Sequence, residues 1–445
     1  MPATSGLSMV PPPPVARHPG SRFERLAGLR MGVFGGALAL ALLMVFVIWR
    51  AQSVVGQTSD LYGFADMGRN IAEGRGLRST GKGLTMRRGP GYPGLIAALY
   101  VIFGVNPVAI LLCQCVLSAG TCLLAFEIGR RIFSVRTGLL AAAIVGLHPM
   151  VLRYVPDIQV EVLLTFLYTL TVYRTVRLVE QESLRNGFWV GASAAAAAMV
   201  KGVALPYPAL FALAYLIWRR VSSKGAAWSL PGWKPVCAMF VAMGLVILPW
   251  TYRNYEVGGH FVLISKNASG EFLRGYVFAQ PRYYLLRDPP YVVGEQEANA
   301  MQRELFRKQG LVWERDETET EMVQNAAANA MLREHPGAFV KKFVIGLFMF
   351  WYVVTTRLNS LAVGALALAG WVLAAVGFVR GRREGHRFWL LLVPIASLNL
   401  IYAAVLSLGR YSAPCIPSLM VLAAFGLESL LPGKWHVPAG GGAAE

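Results

Sequence analysis

The feature that most constrains this chain is its recurring apolar runs, the longest of which approach the ~20 residues that a helix needs to cross a bilayer. A backbone inside hydrocarbon must satisfy its own hydrogen bonds, so such runs predict spanning α-helices. We therefore predict an all-α polytopic membrane protein with about ten transmembrane helices, or up to about twelve. The predicted spans cover residues 31–49, 107–128, 135–152, 160–176, 188–200, 205–218, 236–250, 361–378, 388–406 and 414–430.

Charged residues are scarce, and the basic ones lie at the ends of the apolar runs. Asp, Glu, Lys and Arg make up 15% of the 445 residues, whereas a soluble protein carries about 25%. A formal net charge of +18 can indicate a nucleic-acid partner, but basic residues beside spans are what the positive-inside bias of membrane proteins predicts. We therefore expect no nucleic-acid partner, and we place both termini in the cytoplasm.

This orientation leaves two long polar loops on the outer side of the membrane, residues 50–89 and 251–341. If the short apolar stretch 343–354 crossed the membrane, the arginines of 380–387 would fall outside, against the positive-inside bias. We therefore predict a re-entrant or interfacial helix at 343–354. The Pro- and Gly-rich stretch 90–104 is predicted to be re-entrant as well.

The predicted domain organisation follows from these spans. Residues 1–30 are expected to form a disordered cytoplasmic tail, 31–432 the transmembrane domain, and 433–445 a second cytoplasmic tail. The first apolar run is too long for the core of a signal peptide, so it is expected to be retained. Juxtamembrane helices are expected on the outer face, where 294–333 has a helical pattern that His335–Pro336 would end.

The first outer loop places an acid, Asp60, at the expected start of a short helix. Ser59 is suited to cap this helix, and the Asp60 carboxylate would be stabilised as the anion near its N-terminus. An apolar face of the helix, which can lie on the membrane, comprises Leu61, Phe64, Gly68 and Ile71. The plainer alternative is an ordinary surface helix with an acid at its start.

A second predicted outer turn carries two further acids. Asp157 follows Arg153, and Glu161 lies at or just inside the start of an apolar helix. An ionisable group at this depth is costly, so by default it indicates a functional site. The alternative is an acid at the membrane edge that only pairs with Arg153.

Cations mark the predicted outer ends of three spans, at Lys201, Arg253 and Arg410. A cation that faces the outer leaflet suits a lipid phosphate, and the planar fork of arginine suits phosphate oxygens. The alternatives are a snorkelling lysine and, for Trp250 and Tyr411, aromatic anchors at the interface.

Together these groups would place carboxylates and cations at the depth of lipid headgroups. The cations would bind a lipid-linked phosphate and stabilise it as a leaving group. A carboxylate would take the proton from an incoming hydroxyl. A sugar on polyprenyl phosphate is already activated, which agrees with the lack of a Gly-rich nucleotide-binding motif in the sequence.

Several short motifs also occur in a characteristic order. They are Asp60 with Tyr62, Ala65 and Glu73-Gly74-Arg75-Gly76, then Arg88-Gly89-Pro90-Gly91-Tyr92-Pro93, His148-Pro149, Glu161, Lys201-Gly202, Pro249-Trp250-Thr251-Tyr252-Arg253-Asn254, His335-Pro336, and Arg410-Tyr411 with Pro414 and Pro417. In this order, and with this predicted sidedness, they resemble the C-type (GT-C) glycosyltransferases of family 39. That group includes the protein O-mannosyltransferases and the lipid A aminoarabinose transferase.

The resemblance implies the GT-C fold and roles for particular residues. An aspartate of the first outer loop is the catalytic base in the family, a role that would fall on Asp60. Relatives often have a second acid directly after it, where this chain has Leu61. The acid of the family's second outer loop is matched here by Asp157 or Glu161. Binding of the lipid phosphate and substrate would fall on Arg88, Tyr92, Lys201, Arg253, Arg410 and Tyr411.

We therefore predict a membrane glycosyltransferase that moves a sugar from a polyprenyl-phosphate donor to a hydroxyl of an acceptor lipid, glycan or protein. It would be a multi-pass protein of the inner (plasma) membrane, with its active site on the periplasmic or extracytoplasmic side. The alternatives are a flippase or transporter of lipid-linked sugars and a polysaccharide polymerase or ligase. The five cysteines lie in apolar runs without metal or disulfide spacing, so no metal site is assigned. The resemblance admits a divalent metal ion as a cofactor.

Overall fold

A computed structural model describes residues 19–55, 60, 63–79, 83–222, 232–312 and 317–431. This part of the chain is helical almost throughout, and its one β pairing is an isolated bridge between Arg78 and Leu84. The predicted tail 433–445 and most of the predicted tail 1–30 lie outside the described residues.

Ten apolar helices form the body of the described chain. Seven of them belong to segments that are long and apolar enough to cross a membrane: α1 (Pro19–Val55), α4 (Pro107–Ile132), α7 (Glu161–Glu180), α9 (Pro206–Ser222), α10 (Trp233–Gly258), α16 (Arg357–Gly381) and α18 (Ile416–Leu430). Three are shorter: α3 (Gly91–Phe103), α5 (Val135–Leu147) and α17 (Trp389–Ala404).

Eight further helices lie between these in the described part of the chain. They are α2 (Phe64–Ala72), α6 (Pro149–Leu152), α8 (Leu184–Val200), α11 (Ala268–Phe278), α12 (Pro281–Tyr284), α13 (Glu295–Arg307), α14 (Glu317–Glu334) and α15 (Pro336–Tyr352). Three 3-10 turns cover Gly202–Ala204, Arg382–Glu384 and Gly409–Cys415, and Pro290–Gly294 forms a π-helical turn.

This architecture confirms the predicted all-α polytopic class. The set of ten differs from the predicted spans in one place, because it contains α3 and not α8, which has 17 residues. The helix break at His335–Pro336 is confirmed, since α14 ends at Glu334 and Pro336 begins α15. Because Pro lacks an N–H, it is favoured at this first position of a helix.

Small residues allow α8 to lie very close to α10. A Cβ atom added at Gly187 would be 2.1 Å from the carbonyl oxygen of Pro235, and one at Gly191 would be 2.0 Å from that of Met239. Such small residues four positions apart are typical of helices that pack tightly in membranes. This packing fixes α8, whose last residue directly precedes Lys201.

Ion pairs gather at the end of the bundle where α4 and α7 finish. Arg30 Nε lies 2.8 Å from Glu127 Oε1, and Arg131 Nη1 lies 2.7 Å from Glu180 Oε2. Because α7 is 20 residues long, its first residue, Glu161, lies about 30 Å from this end. The candidate site therefore lies at the opposite end, which we call the site end.

Candidate active site

The centre of the site end is a lysine that faces two stacked tyrosines. Lys201 lies in the turn after α8, Tyr402 near the end of α17, and Tyr411 in the 3-10 turn before α18. The two tyrosine rings stack with centroids 4.4 Å apart and an interplanar angle of 5°. The Lys201 Nζ lies 4.1 Å from the Tyr411 centroid and 5.4 Å from the Tyr402 centroid. We call these three residues and Arg410 the cation cluster.

Arg410 places a second positive charge on the same aromatic ring. Its Nη2 donates a hydrogen bond of 2.8 Å to the Tyr411 hydroxyl, and its Cζ lies 4.8 Å from the ring centroid. Burial lowers the pKa of Lys201 to about 8; the charge of Glu161 opposes this shift, and that of Arg410 adds to it. Within the described residues, the Lys201 ammonium makes no hydrogen bond or ion pair. Two like charges on one ring would be stabilised by an anion between them.

Glu161 lies beside this cluster as the first residue of α7. It is 6% exposed and, within the described part of the chain, its carboxylate makes no hydrogen bond or ion pair. It lines a small pocket together with hydroxyl side chains that include Ser118, Thr121 and Thr165. A buried carboxylate without partners is costly, so Glu161 is placed where a ligand or water would stabilise it.

A buried tyrosine connects the first loop to the second acid-bearing turn. The Tyr92 hydroxyl donates 2.9 Å to Gln114 Oε1, and Gln114 Nε2 donates 2.9 Å to the carbonyl oxygens of Val155 and Asp157. The Asp157 carboxylate lies 3.8 Å from Arg153 Nη1. Gln114 therefore connects the Tyr92 side chain to the backbone of Val155 and Asp157. Sequence reasoning missed this glutamine. Its signal was a polar amide inside an apolar helix.

Asp60 caps the N-terminus of α2 with its carboxylate. Oδ1 accepts from the Phe64 N–H at 2.9 Å and Oδ2 from the Ala65 N–H at 2.7 Å. Each carboxylate oxygen has a further lone pair, so the group is held in one orientation and can still accept another proton. The predicted cap Ser59 lies outside the described residues, as do Leu61 and Tyr62.

The described part of the apolar face of α2 packs on α3, whereas the sequence also allowed this face to lie on the membrane. A Cβ at Gly68 would be 2.3 Å from Ile96 Cγ2, and the Phe64 ring meets the Tyr92 ring edge-on at 5.2 Å. Because α3 is itself apolar, it provides the surface that this face buries.

Two glycines bring the first loop against the Lys201 turn. A Cβ at Gly89 would be 2.2 Å from the carbonyl oxygen of Met199, and one at Gly91 would be 2.8 Å from the Val200 nitrogen. The Arg88 guanidinium lies 5.9 Å from the ring centroid of Phe64 in α2. Its positive charge adds to the lowering of the Lys201 pKa. Arg88 thus joins the surroundings of the cation cluster.

Arg253 binds the backbone of the first outer loop. Its Nη1 donates 2.9 Å to the Thr85 carbonyl and 3.2 Å to Asn254 Oδ1, and its Cζ lies 4.6 Å from the Trp250 ring centroid. Arg253 therefore joins α10 to the first outer loop, which also carries Arg88.

Sequence reasoning missed two charged residues of α11 that lie next to the cation cluster. Arg274 pairs with Glu271 at 3.2 Å and also with Glu295. Burial disfavours the charged guanidinium of Arg274. The negative charges of Glu271 and Glu295 have the larger combined effect, so the pKa of Arg274 is raised. The negative charge of Glu271 favours the protonated form of Lys201, and the positive charge of Arg410 disfavours that of Arg274. The available signal was the acid–base pair three residues apart on a loop helix.

The described residues do not supply an evident metal centre. Within them, no three His, Cys, Asp or Glu side chains converge as ligands would. Both Asp60 oxygens already accept backbone hydrogen bonds.

Comparisons with known proteins agree with this architecture. Residues 87–250 match the family described as dolichyl-phosphate-mannose-protein mannosyltransferase. The apo oligosaccharyltransferase of Archaeoglobus fulgidus matches with a TM-score of 0.57 and 13% identity, over 90% of this chain and 50% of that one. The oligosaccharyltransferase AglB from the same organism, with an inhibitory peptide and a dolichol-phosphate, matches with a TM-score of 0.55, 14% identity and the same coverage.

A weaker match is ArnT from Cupriavidus metallidurans bound to undecaprenyl phosphate. It has a TM-score of 0.42 and 14% identity, over 90% of this chain and 79% of that one. No curated protein matches the chain. The match covers about half the length of the archaeal oligosaccharyltransferase. The predicted resemblance to C-type glycosyltransferases is confirmed, and the fold is the GT-C fold.

Proposed function

We propose that this protein is a membrane glycosyltransferase that moves a sugar from a polyprenyl-phosphate donor to an acceptor hydroxyl. The observation that carries the proposal is the cation cluster, where the charges of Lys201 and Arg410 meet at the Tyr411 ring. The matched family transfers mannose from a dolichyl phosphate by its description, and AglB has been solved with a dolichol-phosphate. A lipid phosphate is therefore the anion best suited to this cluster.

The cluster would act on the phosphate as the sugar leaves. Negative charge grows on the phosphate while the bond to the sugar breaks, and fixed cations in a site with little water stabilise that charge strongly. Arg410 is already oriented by its bond to Tyr411, so little reorganisation is needed when the phosphate binds. The polyprenyl tail would lie along the apolar helices of the bundle.

Asp60 is proposed as the base that takes the proton of the acceptor hydroxyl. Its two backbone hydrogen bonds fix the direction of the carboxylate, and geometry of this kind is what general-base catalysis requires. The acceptor oxygen would attack the anomeric carbon in one displacement, with polyprenyl phosphate as the leaving group. One displacement inverts the anomeric configuration, so a product with retained configuration would refute this mechanism.

We further propose that the site end faces the periplasmic or extracytoplasmic side of an inner membrane. The ion pairs of Arg30 and Arg131 at the other end agree with a cytoplasmic face rich in basic residues. The acceptor would be a lipid, a glycan or a protein, which approaches from the side of the loops.

Reconstitution tests the function directly. Purified protein in vesicles receives radiolabelled polyprenyl-phosphate sugars and a membrane extract as the source of acceptors, and the Asp60→Asn variant is run in parallel. We expect transfer by the native protein and its loss in the variant. Transfer undiminished in the variant would overturn the assignment of the base. Movement of the lipid across the bilayer without any transfer would favour a flippase.

A further inference from the structure

A buried lysine outside the proposed site binds the end of the helix that leads into it. Lys342 of α15 is 3% exposed. Its Nζ donates to the carbonyl oxygens of Ala404 at 2.7 Å and Val405 at 3.0 Å, and contacts that of Phe272 at 3.4 Å. The last carbonyls of a helix have no partner within the helix. Lys342 therefore supplies the hydrogen-bond donor that the C-terminal carbonyls of α17 lack within the helix.

The segment that begins at this helix end leads to two residues of the cation cluster. Val405 is followed by three residues and then by Gly409, whose N–H donates 2.6 Å to the carbonyl oxygen of Val353, directly after α15. Arg410 and Tyr411 come next. Both ends of the segment 405–409 are thus bound to α15, one by the Lys342 side chain and the other by the Val353 backbone.

The same lysine connects this segment to α11. Its Nζ lies 3.8 Å from the Phe272 ring centroid and 4.8 Å from that of Tyr276. A Cβ at Gly275 would be 2.1 Å from the Val405 carbonyl oxygen and 3.1 Å from the Lys342 Nζ. Lys342 thus contacts both the segment 405–409 and α11, which also carries Arg274.

We propose that Lys342 is a positioning residue for the lipid-phosphate site, which acts through the segment 405–409 on Arg410 and Tyr411. This inference rests on the proposed function for its catalytic meaning, but the positioning itself is a property of the fold. Its removal leaves the half-buried residues Ala404 and Val405 without this donor to their carbonyls, and the loss of a hydrogen-bond partner costs free energy. The segment would then relax toward other conformations, and Arg410 would lose its fixed direction.

The test uses the full chain in detergent or vesicles and a matched pair of variants. Lys342→Met keeps the length of the side chain and removes its donors, whereas Lys341→Met changes the exposed neighbour on the same helix. The first measurement is amide hydrogen exchange, which needs no ligand. We expect exchange to accelerate about tenfold or more in 403–411 and in α11 for Lys342→Met alone. Partial restoration is expected for Lys342→Arg, which retains the charge.

The second measurement is the affinity for polyprenyl phosphate in a double-mutant cycle with Arg410→Ala. We expect Lys342→Met to weaken binding about tenfold in the native background and to add little once Arg410 is absent. Losses that multiply independently, or unchanged exchange in 403–411 in a folded variant, would overturn the positioning role. If the native protein binds no polyprenyl phosphate while exchange still changes as expected, the proposed function fails and the positioning stands.

Discussion

The ammonium of Lys201 lies 4.1 Å from the centroid of the Tyr411 ring. A cation over an aromatic face is attracted to the ring's negative quadrupole, so the ring holds the lysine charge in place without neutralising it. That charge remains available to an external anion. A carboxylate in the position of the ring would instead have competed with such an anion. The ring is therefore as much a part of the phosphate site as the two cations.

Substitution of Tyr411 separates the contribution of the ring from that of its hydroxyl. Tyr411→Phe keeps the ring and loses the hydrogen bond from Arg410, so affinity for polyprenyl phosphate should fall about tenfold. Tyr411→Leu also loses the attraction to Lys201, so the loss should be larger, by roughly another factor of ten. Binding of a fluorescent polyprenyl phosphate to the purified variants measures both. Equal affinity of the two variants would show that the ring contributes nothing.

The pH dependence of binding tests the charge of Lys201. Burial lowers its pKa to about 8, so the free protein holds the ammonium below that pH and loses it above. Affinity for polyprenyl phosphate should therefore fall as the pH rises through about 8. A bound phosphate favours the charged form, so saturating lipid should move the transition to higher pH.

The matched control is Lys201→Arg, since a guanidinium stays protonated over the whole range. Its binding curve should be flat between about pH 7 and pH 9, apart from the titration of the lipid phosphate itself, which both proteins share. An identical slope in the two proteins would assign the pH dependence to the lipid and remove Lys201 from the site.

Much of this site could be predicted from the chain, because spans and charges follow one-dimensional rules. Apolar length gave the helices, and the bias of basic residues placed Glu161, Lys201 and Arg410 at the same end. Hydropathy has no information on which helix contacts which, however. Gln114 and Lys342 matter through contacts with residues 41 and 62 positions away in the chain, so their roles become visible only in three dimensions.

Arg253 also has contacts that could not be predicted from the sequence. Its position at a predicted span end suits a phosphate ligand, yet its guanidinium binds the Thr85 carbonyl. Arg253→Lys keeps the charge and loses the planar fork. We expect residues 83–86 to become more sensitive to proteolysis, while affinity for polyprenyl phosphate changes less than about threefold. A loss of affinity as large as that of Arg410→Lys would instead return Arg253 to the phosphate site.

The assignment of the base predicts a selective defect in Asp60→Asn. The amide oxygen can still accept one backbone N–H of α2, so the helix cap is weakened by about 1 kcal/mol and the fold persists. Transfer should fall by roughly 100-fold or more, which is the usual effect of losing a general base. Affinity for the lipid should stay within a few-fold of native, as measured on the same preparation.

The exposed Asp66 on the same helix provides the control. Asp66→Asn removes the same charge a few residues away and should leave the transfer rate within about twofold. If both variants lose activity to the same extent, the charge of α2 matters in general, and Asp60 has no special role as a base.

The contact between the first loop and the Lys201 turn leaves no room for a methyl group at Gly89. Gly89→Ala would place its Cβ 2.2 Å from the Met199 carbonyl oxygen, and this backbone cannot yield without moving Lys201 or Arg88. The variant should therefore lose lipid affinity and melt at a lower temperature, by several degrees. Gly94→Ala is the control, because no atom lies within 4 Å of a Cβ there and alanine favours a helix. Scanning fluorimetry and lipid binding on the two variants should diverge; if Gly89→Ala matches Gly94→Ala in both, the loop does not depend on this contact to hold Arg88 beside Lys201.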